Sequence, residues 1–131
     1  IGGYKFDKKT KTFPIFINYD KQDDISDTTK YEDHFVGDNR LIAISKSGRT
    51  IASEDVQNFL HAKERGIDVQ LFVRKNKDDK ISKEFYYLGR VNATGQVKEF
   101  VMPNTDKTAV EIEWVLDTPV REDIYEYIVN G

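Results

Sequence analysis

Apolar residues in this chain recur mostly at every second position or in short unbroken runs, the spacing of strands rather than of a helical bundle. Residues 13–19, Phe-Pro-Ile-Phe-Ile-Asn-Tyr, are rich in aromatic and β-branched side chains. Pro14 falls near the start of that run, where a missing N–H is tolerated. Residues 40–45, Arg-Leu-Ile-Ala-Ile-Ser, form a nearly continuous apolar stretch that suits a strand buried on both faces. Residues 67–74 alternate around Val69, Leu71 and Val73, and the polar run 76–80 predicts a turn. Residues 84–91 then return as the second arm of a hairpin. Gly95 is expected to mark a further turn, into a short strand over 96–102. In residues 108–116, Val110, Ile112, Trp114 and Leu116 alternate with Glu111 and Glu113, the period of a half-exposed strand.

Two segments depart from that period. Ser53 followed by Glu54 and Asp55 has the form of a helix start, with an acceptor for free N–H groups and carboxylates at the positive end of the dipole. Val56, Phe59, Leu60 and Lys63 follow at helical spacing, and Gly66 is a matching stop, which predicts a helix over 53–65. Pro119 is expected in the first turn of a terminal helix carrying Ile124, Tyr127 and Ile128 on one face. Residues 20–40, with six Asp and little periodicity, read as an irregular segment, either a binding loop or an excursion without a role. About six strands with one central and one C-terminal helix predict an α+β domain built on a curved, mostly antiparallel sheet or a small β-barrel. Strands and helices do not alternate regularly, which argues against a doubly wound parallel sheet.

At 131 residues the chain fits a single domain with a real core. Cysteine is absent, which excludes disulfides and thiolate metal sites and makes a reducing cytoplasm the expected compartment. No apolar run approaches the roughly 20 residues that cross a bilayer, so no membrane partner is expected. Because it opens on Ile1 rather than Met, the chain is expected to be an excised piece of a longer protein or a processed product. The net charge of −3 argues against a general nucleic-acid-coating protein. Its distribution says more: residues 40–98 carry twelve basic against seven acidic residues, and 99–131 carry two against eight. That segregation fits a basic face on a folded domain, and equally fits charge scatter on an ordinary surface.

Chemistry is hard to assemble from these residues. His61 lies within the predicted helix and His34 in the irregular segment, so neither sits beside an obvious nucleophile. Asp20, Asp23, Asp24 and Asp27 lack the spacing of a calcium loop, and Asp78-Asp79-Lys80 falls in a predicted turn rather than on adjacent nuclease strands. No glycine-rich phosphate loop is present. The chain therefore reads as non-catalytic, with no cofactor and no metal. Binding determinants remain: Arg40, Lys46, Arg49, Arg74, Lys75 and Arg90 flank predicted strand ends and turns, within reach of phosphates or base edges. Tyr31, Phe35, Tyr86, Tyr87 and Trp114 are candidates for a stacking wall, although one of Tyr86 and Tyr87 must face inward and Trp114 suits the core. The candidate DNA-contacting set is Lys46, Ser47, Arg49, Arg74, Arg90, Tyr31, His34 and Tyr86. Lys8 and Lys9, near the terminus, are expected to matter less.

Several segments carry a family resemblance: residues 28–35, Ser45-Lys46-Ser47-Gly48-Arg49-Thr50, residues 71–74, and Phe85-Tyr-Tyr-Leu-Gly-Arg-Val91. Together they resemble an uncharacterised domain family, a domain of unknown function, at the C-terminus of bacterial DEAD/DEAH helicase-like proteins. Those parents often carry a phospholipase-D-type nuclease and look like restriction or phage-defence proteins. Many members have an aromatic residue and Trp in place of Leu41 and Ala43, and Ser-Gln-Asn in place of Ser45-Lys46-Ser47. The strand over 85–91 is also similar in style to one of the PUA/SRA-like superfamily. The resemblance implies an accessory domain, itself not an enzyme, that recognises DNA, including modified or foreign DNA, beside helicase and nuclease domains. A protein-interaction or oligomerisation domain docking on those parts is the alternative.

Overall fold

The computed structural model describes residue 1 and residues 3–19, 32–75, 84–103 and 105–130. Tyr31, the aspartates from Asp20 to Asp27, and Asp78-Asp79-Lys80 lie outside them. In chain order the elements are β1 (Gly3–Tyr4), β2 (Thr12–Tyr19), β3 (His34–Gly37), β4 (Arg40–Ile44), α1 (Glu54–Leu60), α2 (Ala62–Arg65), β5 (Asp68–Lys75), β6 (Tyr86–Val101), β7 (Thr108–Leu116) and α3 (Glu122–Val129). The strands form one sheet in the order β1-β2-β5-β6-β7-β4-β3. Among the described strands only β2 and β5 run parallel, and the other pairs are antiparallel. The domain is therefore α+β around a curved, mostly antiparallel sheet.

Strict alternation builds the two faces. On β2, Phe13, Ile15, Ile17 and Tyr19 are buried, and on β5 so are Val69, Leu71 and Val73. Trp114, Ile112 and Leu41 continue this inner face across β7 and β4. Phe59 of α1 fills the space above it, edge-on to Trp114 at 5.2 Å and tilted against Phe13 at 4.4 Å. At the other end Ile128 of α3 is fully buried, while Tyr125 packs edge-on to Phe35 and Tyr127 edge-on to Tyr86. Pro14 lies beyond the two-residue ladder with β1 and stands in register with Gln70 of β5, near the start of β2.

Of the two architectures the sequence allowed, the open one forms: the sheet curls but does not close into a barrel. Across the seam its ends are bridged by single bonds instead of a ladder. The backbone nitrogen of Ile1 donates to the Ile44 carbonyl at 2.9 Å, the Lys46 N–H to the Tyr4 hydroxyl at 3.2 Å, and the Phe35 N–H to the Tyr19 hydroxyl at 3.3 Å.

Several local expectations change. Gly95 does not end a strand; it lies inside the 16-residue β6, with φ of +100°, where the register slips between Ala93 and Val97 opposite β7. A positive φ serves a bulge as well as a turn, and the unbroken β7 alongside selects the bulge. Gly89, with φ of +89°, sits at a second slip against β5. The predicted helix 53–65 divides at His61 into α1 and α2 and stops at the left-handed Gly66. Ser53 occupies the N-cap position, yet its hydroxyl accepts the Thr50 N–H at 2.9 Å instead of capping the helix. Pro119 precedes α3, whose N-cap is Arg121, and β3 lies within the segment read as irregular.

Candidate nucleic-acid interface

The loop after β4 is tied to the sheet by hydrogen bonds to the backbone of β7. Ser45 exchanges two with Val110, its N–H donating to the carbonyl and its hydroxyl accepting the N–H, both at 2.9 Å. Gly48, with φ of +83°, donates to the Thr108 carbonyl at 2.7 Å. The Ser45–Thr50 stretch is thus a rigid turn leading into α1, and it holds Lys46 and Arg49 over one end of the core.

Facing that turn is the β1–β2 hairpin, whose tip is fixed by a bridge between Asp7 and Thr12. The space between forms a cleft of about 590 Å³ lined by Tyr4, Lys5, Phe6, Lys8, Phe13, Lys46, Gly48, Arg49, Ser53, Glu54, Asp55 and Asn58. Four cations line it against two carboxylates, over an aromatic floor of Tyr4, Phe6 and Phe13. A second hollow shares Lys5, Phe6 and Lys8 with it and extends past Lys9 along the hairpin.

Tyr4 organises the cleft. Its hydroxyl donates to the Asp55 carboxylate and accepts the Lys46 N–H. The Lys46 ammonium lies 4.3 Å from the Tyr4 ring centroid and donates to the Tyr4 carbonyl at 3.1 Å. Arg49 Nε donates to Asp55 Oδ2 at 2.8 Å. Burial, then the bond to Asp55, pushes the Tyr4 hydroxyl well above the ordinary tyrosine value, so it stays protonated. Burial also pushes the Asp55 carboxyl upward, but the bonds from Tyr4, Arg49 and the Val56 N–H outweigh it and hold Asp55 below the usual carboxylate range. Asp55 is therefore an anion that anchors a tyrosine and an arginine.

The candidate residues divide between regions. Lys46 and Arg49 line the cleft together, and Ser47 is exposed in the turn that carries them. Arg74 lies elsewhere, on the outer face of β5, with Nε donating to Asn18 Oδ1 at 2.9 Å and its guanidinium 4.8 Å from the Phe85 ring. Arg90 pairs with Asp68 at 2.8 Å beside a separate hollow. Tyr86 turns inward against Tyr127 of α3, which leaves Tyr87 as the outward member of that pair. On β3, the His34 Nδ1 bonds the Glu32 carbonyl at 2.8 Å, away from the cleft lining. Trp114 is fully buried.

Tyr4, Lys5 and Asp55 stand outside the contact set expected from sequence, where Asp55 is read only as a helix-start carboxylate and Lys8 is expected to matter less. The four lysines among the first 19 residues were the available signal. Among the described residues no cluster of His, Asp and Glu is arranged to hold a metal ion, and no helix is long and apolar enough to cross a membrane.

A family model described as a domain of unknown function, DUF3427, matches residues 1–128. This chain belongs to that family. No curated protein matches it. Among solved structures, the DUF3427 fold is similar to a crystal structure of the SUVH5 SRA domain in complex with fully methylated CG DNA. The TM-score is 0.53 at 11% sequence identity, over 91% of this chain and 76% of that one. At that identity the likeness concerns the fold.

Proposed function

We propose that this DUF3427 domain is a non-catalytic DNA-recognition module and that the cleft between the β1–β2 hairpin and the β4–α1 turn is its contact surface. The observation that carries the reading is the convergence of Lys5, Lys8, Lys46 and Arg49 on one aromatic-floored cleft. Cations so placed attract a phosphate backbone, and rings beneath them suit base or sugar contact. A fold shared with an SRA domain solved on methylated CG DNA supports the same reading. The finer form of the proposal is an accessory domain of a helicase- and nuclease-containing restriction or defence protein that distinguishes modified or foreign DNA.

Fluorescence anisotropy with methylated duplex, unmodified duplex and single strands tests this. With Arg49 paired to Asp55, the three lysines predict two or three neutralised phosphates and a loss of roughly 10- to 50-fold in affinity between about 50 and 200 mM salt. Preference for a modified duplex would support the finer form. No binding to any of these at the lowest salt overturns the proposal.

A further inference from the structure

The outer face of β2, β5 and β6 carries a row of aromatic rings. Phe16 and Phe72 are register partners on β2 and β5 and stack with centroids 5.0 Å apart. Tyr87, the partner of Phe72 on β6, packs against it at 5.2 Å, and Phe85 meets Phe16 edge-on at 5.3 Å. The outward rings are open to solvent, Tyr87 at 59% and Phe85 at 36% of full exposure. The Tyr87 hydroxyl donates to Gln70, which fixes its ring without covering it.

The charges around this ridge decide what it suits. Arg90 is neutralised by Asp68. Arg74 is bonded to the neutral Asn18 and rests against Phe85, and the exposed Glu84 precedes Phe85 in the chain. Among the described residues, neither Arg74 nor Glu84 has a partner of opposite charge. Two further facts weigh against nucleic acid here. Among the described residues the flanking charges of Arg74, Arg90, Glu84 and Asp68 sum to zero and create no field for phosphate, and Phe16 and Phe72 spend their faces on each other. Aromatic rings with an arginine at the margin and few charges at the centre instead match the composition of a protein interface.

We propose that this ridge pairs with the same ridge of a second copy of the chain about a two-fold axis, with Arg74 of each copy meeting Glu84 of the other. A two-fold interface must be self-complementary, since residue i contacts j while j contacts i. One cation and one anion on a shared apolar patch meet that condition. The ridge shares no residue with the DNA cleft, so the pairing stands or falls separately from the proposed function.

Sedimentation velocity on the 131-residue chain should show its mass rising with concentration from one copy toward two. Tyr87→Ser should weaken the association about tenfold or more, with thermal melting by circular dichroism confirming that the variant folds. Arg74→Glu and Glu84→Arg should each weaken it, and the two combined should restore it, since the reversed charges again meet across the axis. A chain that stays monomeric at every concentration overturns the proposal. So does a dimer indifferent to Tyr87→Ser, or a double reversal that restores nothing. Loss of DNA binding in Tyr87→Ser without any change in mass would likewise overturn it and assign the ridge to nucleic acid.

Discussion

In the cleft, Tyr4 is tied at its hydroxyl to Asp55 and Lys46, lies beneath the Lys46 ammonium, and packs edge-on to Phe13 and Phe59 of the core. On the outer ridge, Tyr87 has one tilted ring neighbour and one hydroxyl partner, and more than half of its surface is in solvent. The two regions use the same chemistry of ring, arginine and carboxylate. They differ in how many constraints each side chain bears. The cleft sets its cations beside a partly buried anion and keeps an excess of positive charge, whereas the ridge is mostly aromatic and the described charges around it balance. A charged polymer suits the first, and another protein surface suits the second.

The difference should be largest in stability. Phe59 contacts Tyr4, Phe13 and Trp114 beneath the cleft, so Phe59→Ala should cost about 3–5 kcal/mol in urea unfolding. Phe72→Ala on the half-exposed ridge should cost about 1 kcal/mol. Similar costs at the two positions would erase the distinction between a constrained region and an open one.

DNA affinity separates the regions next. Charge reversal at Lys46 or Lys8 should weaken binding by about tenfold each at low salt, roughly 1.4 kcal/mol. Reversal at Arg74 or Arg90 should leave it within about twofold. The second outcome departs from the expectation drawn from sequence, in which Arg74 and Arg90 belonged to the contact set and Lys8 mattered less. Equal losses at all four positions would show that nucleic acid crosses both faces.

The smallest effect is the pH dependence. Asp55 and Asp68 both titrate below the ordinary carboxylate value in the folded protein, Asp55 because its hydrogen bonds outweigh burial and Asp68 chiefly through its bond from Arg90. The unfolded chain therefore binds protons first as the pH falls. The stability these groups contribute is present above about pH 4 and is lost as the pH drops through their folded values. Asp55→Asn should flatten this acid limb in a series of thermal melts. Asp68→Asn should flatten it less, because solvent screens the more exposed pair. A larger effect at Asp68 would mean that the outer ion pair is the better shielded of the two.

Much of the fold was legible because it depends on local periodicity. The alternation of Phe13, Ile15 and Ile17, of Val69, Leu71 and Val73, and of Val110, Ile112 and Trp114 can be satisfied only by strands with one wet and one dry face. Gly66 likewise announces its left-handed helix stop. Local signals failed where two structures make the same local demand. Gly95 has a positive φ in a turn or in a bulge, and only the neighbouring β7 selects between them. Ser53 can cap α1 or bond Thr50, and the fixed turn before it selects the latter.

The arrangement of charge belonged to tertiary structure alone. Lys8 and Lys46 are 38 positions apart in the chain yet line one cleft, while Arg74 and Arg90 stand on another face of the same sheet. Alternation assigns a strand residue to one face or the other. It carries no information about which strands become neighbours, because that depends on pairing partners far apart in sequence. The curl that brings β1 toward the turn after β4 arises from those pairings and from the two bulges in β6, and it turned a scatter of lysines into a site.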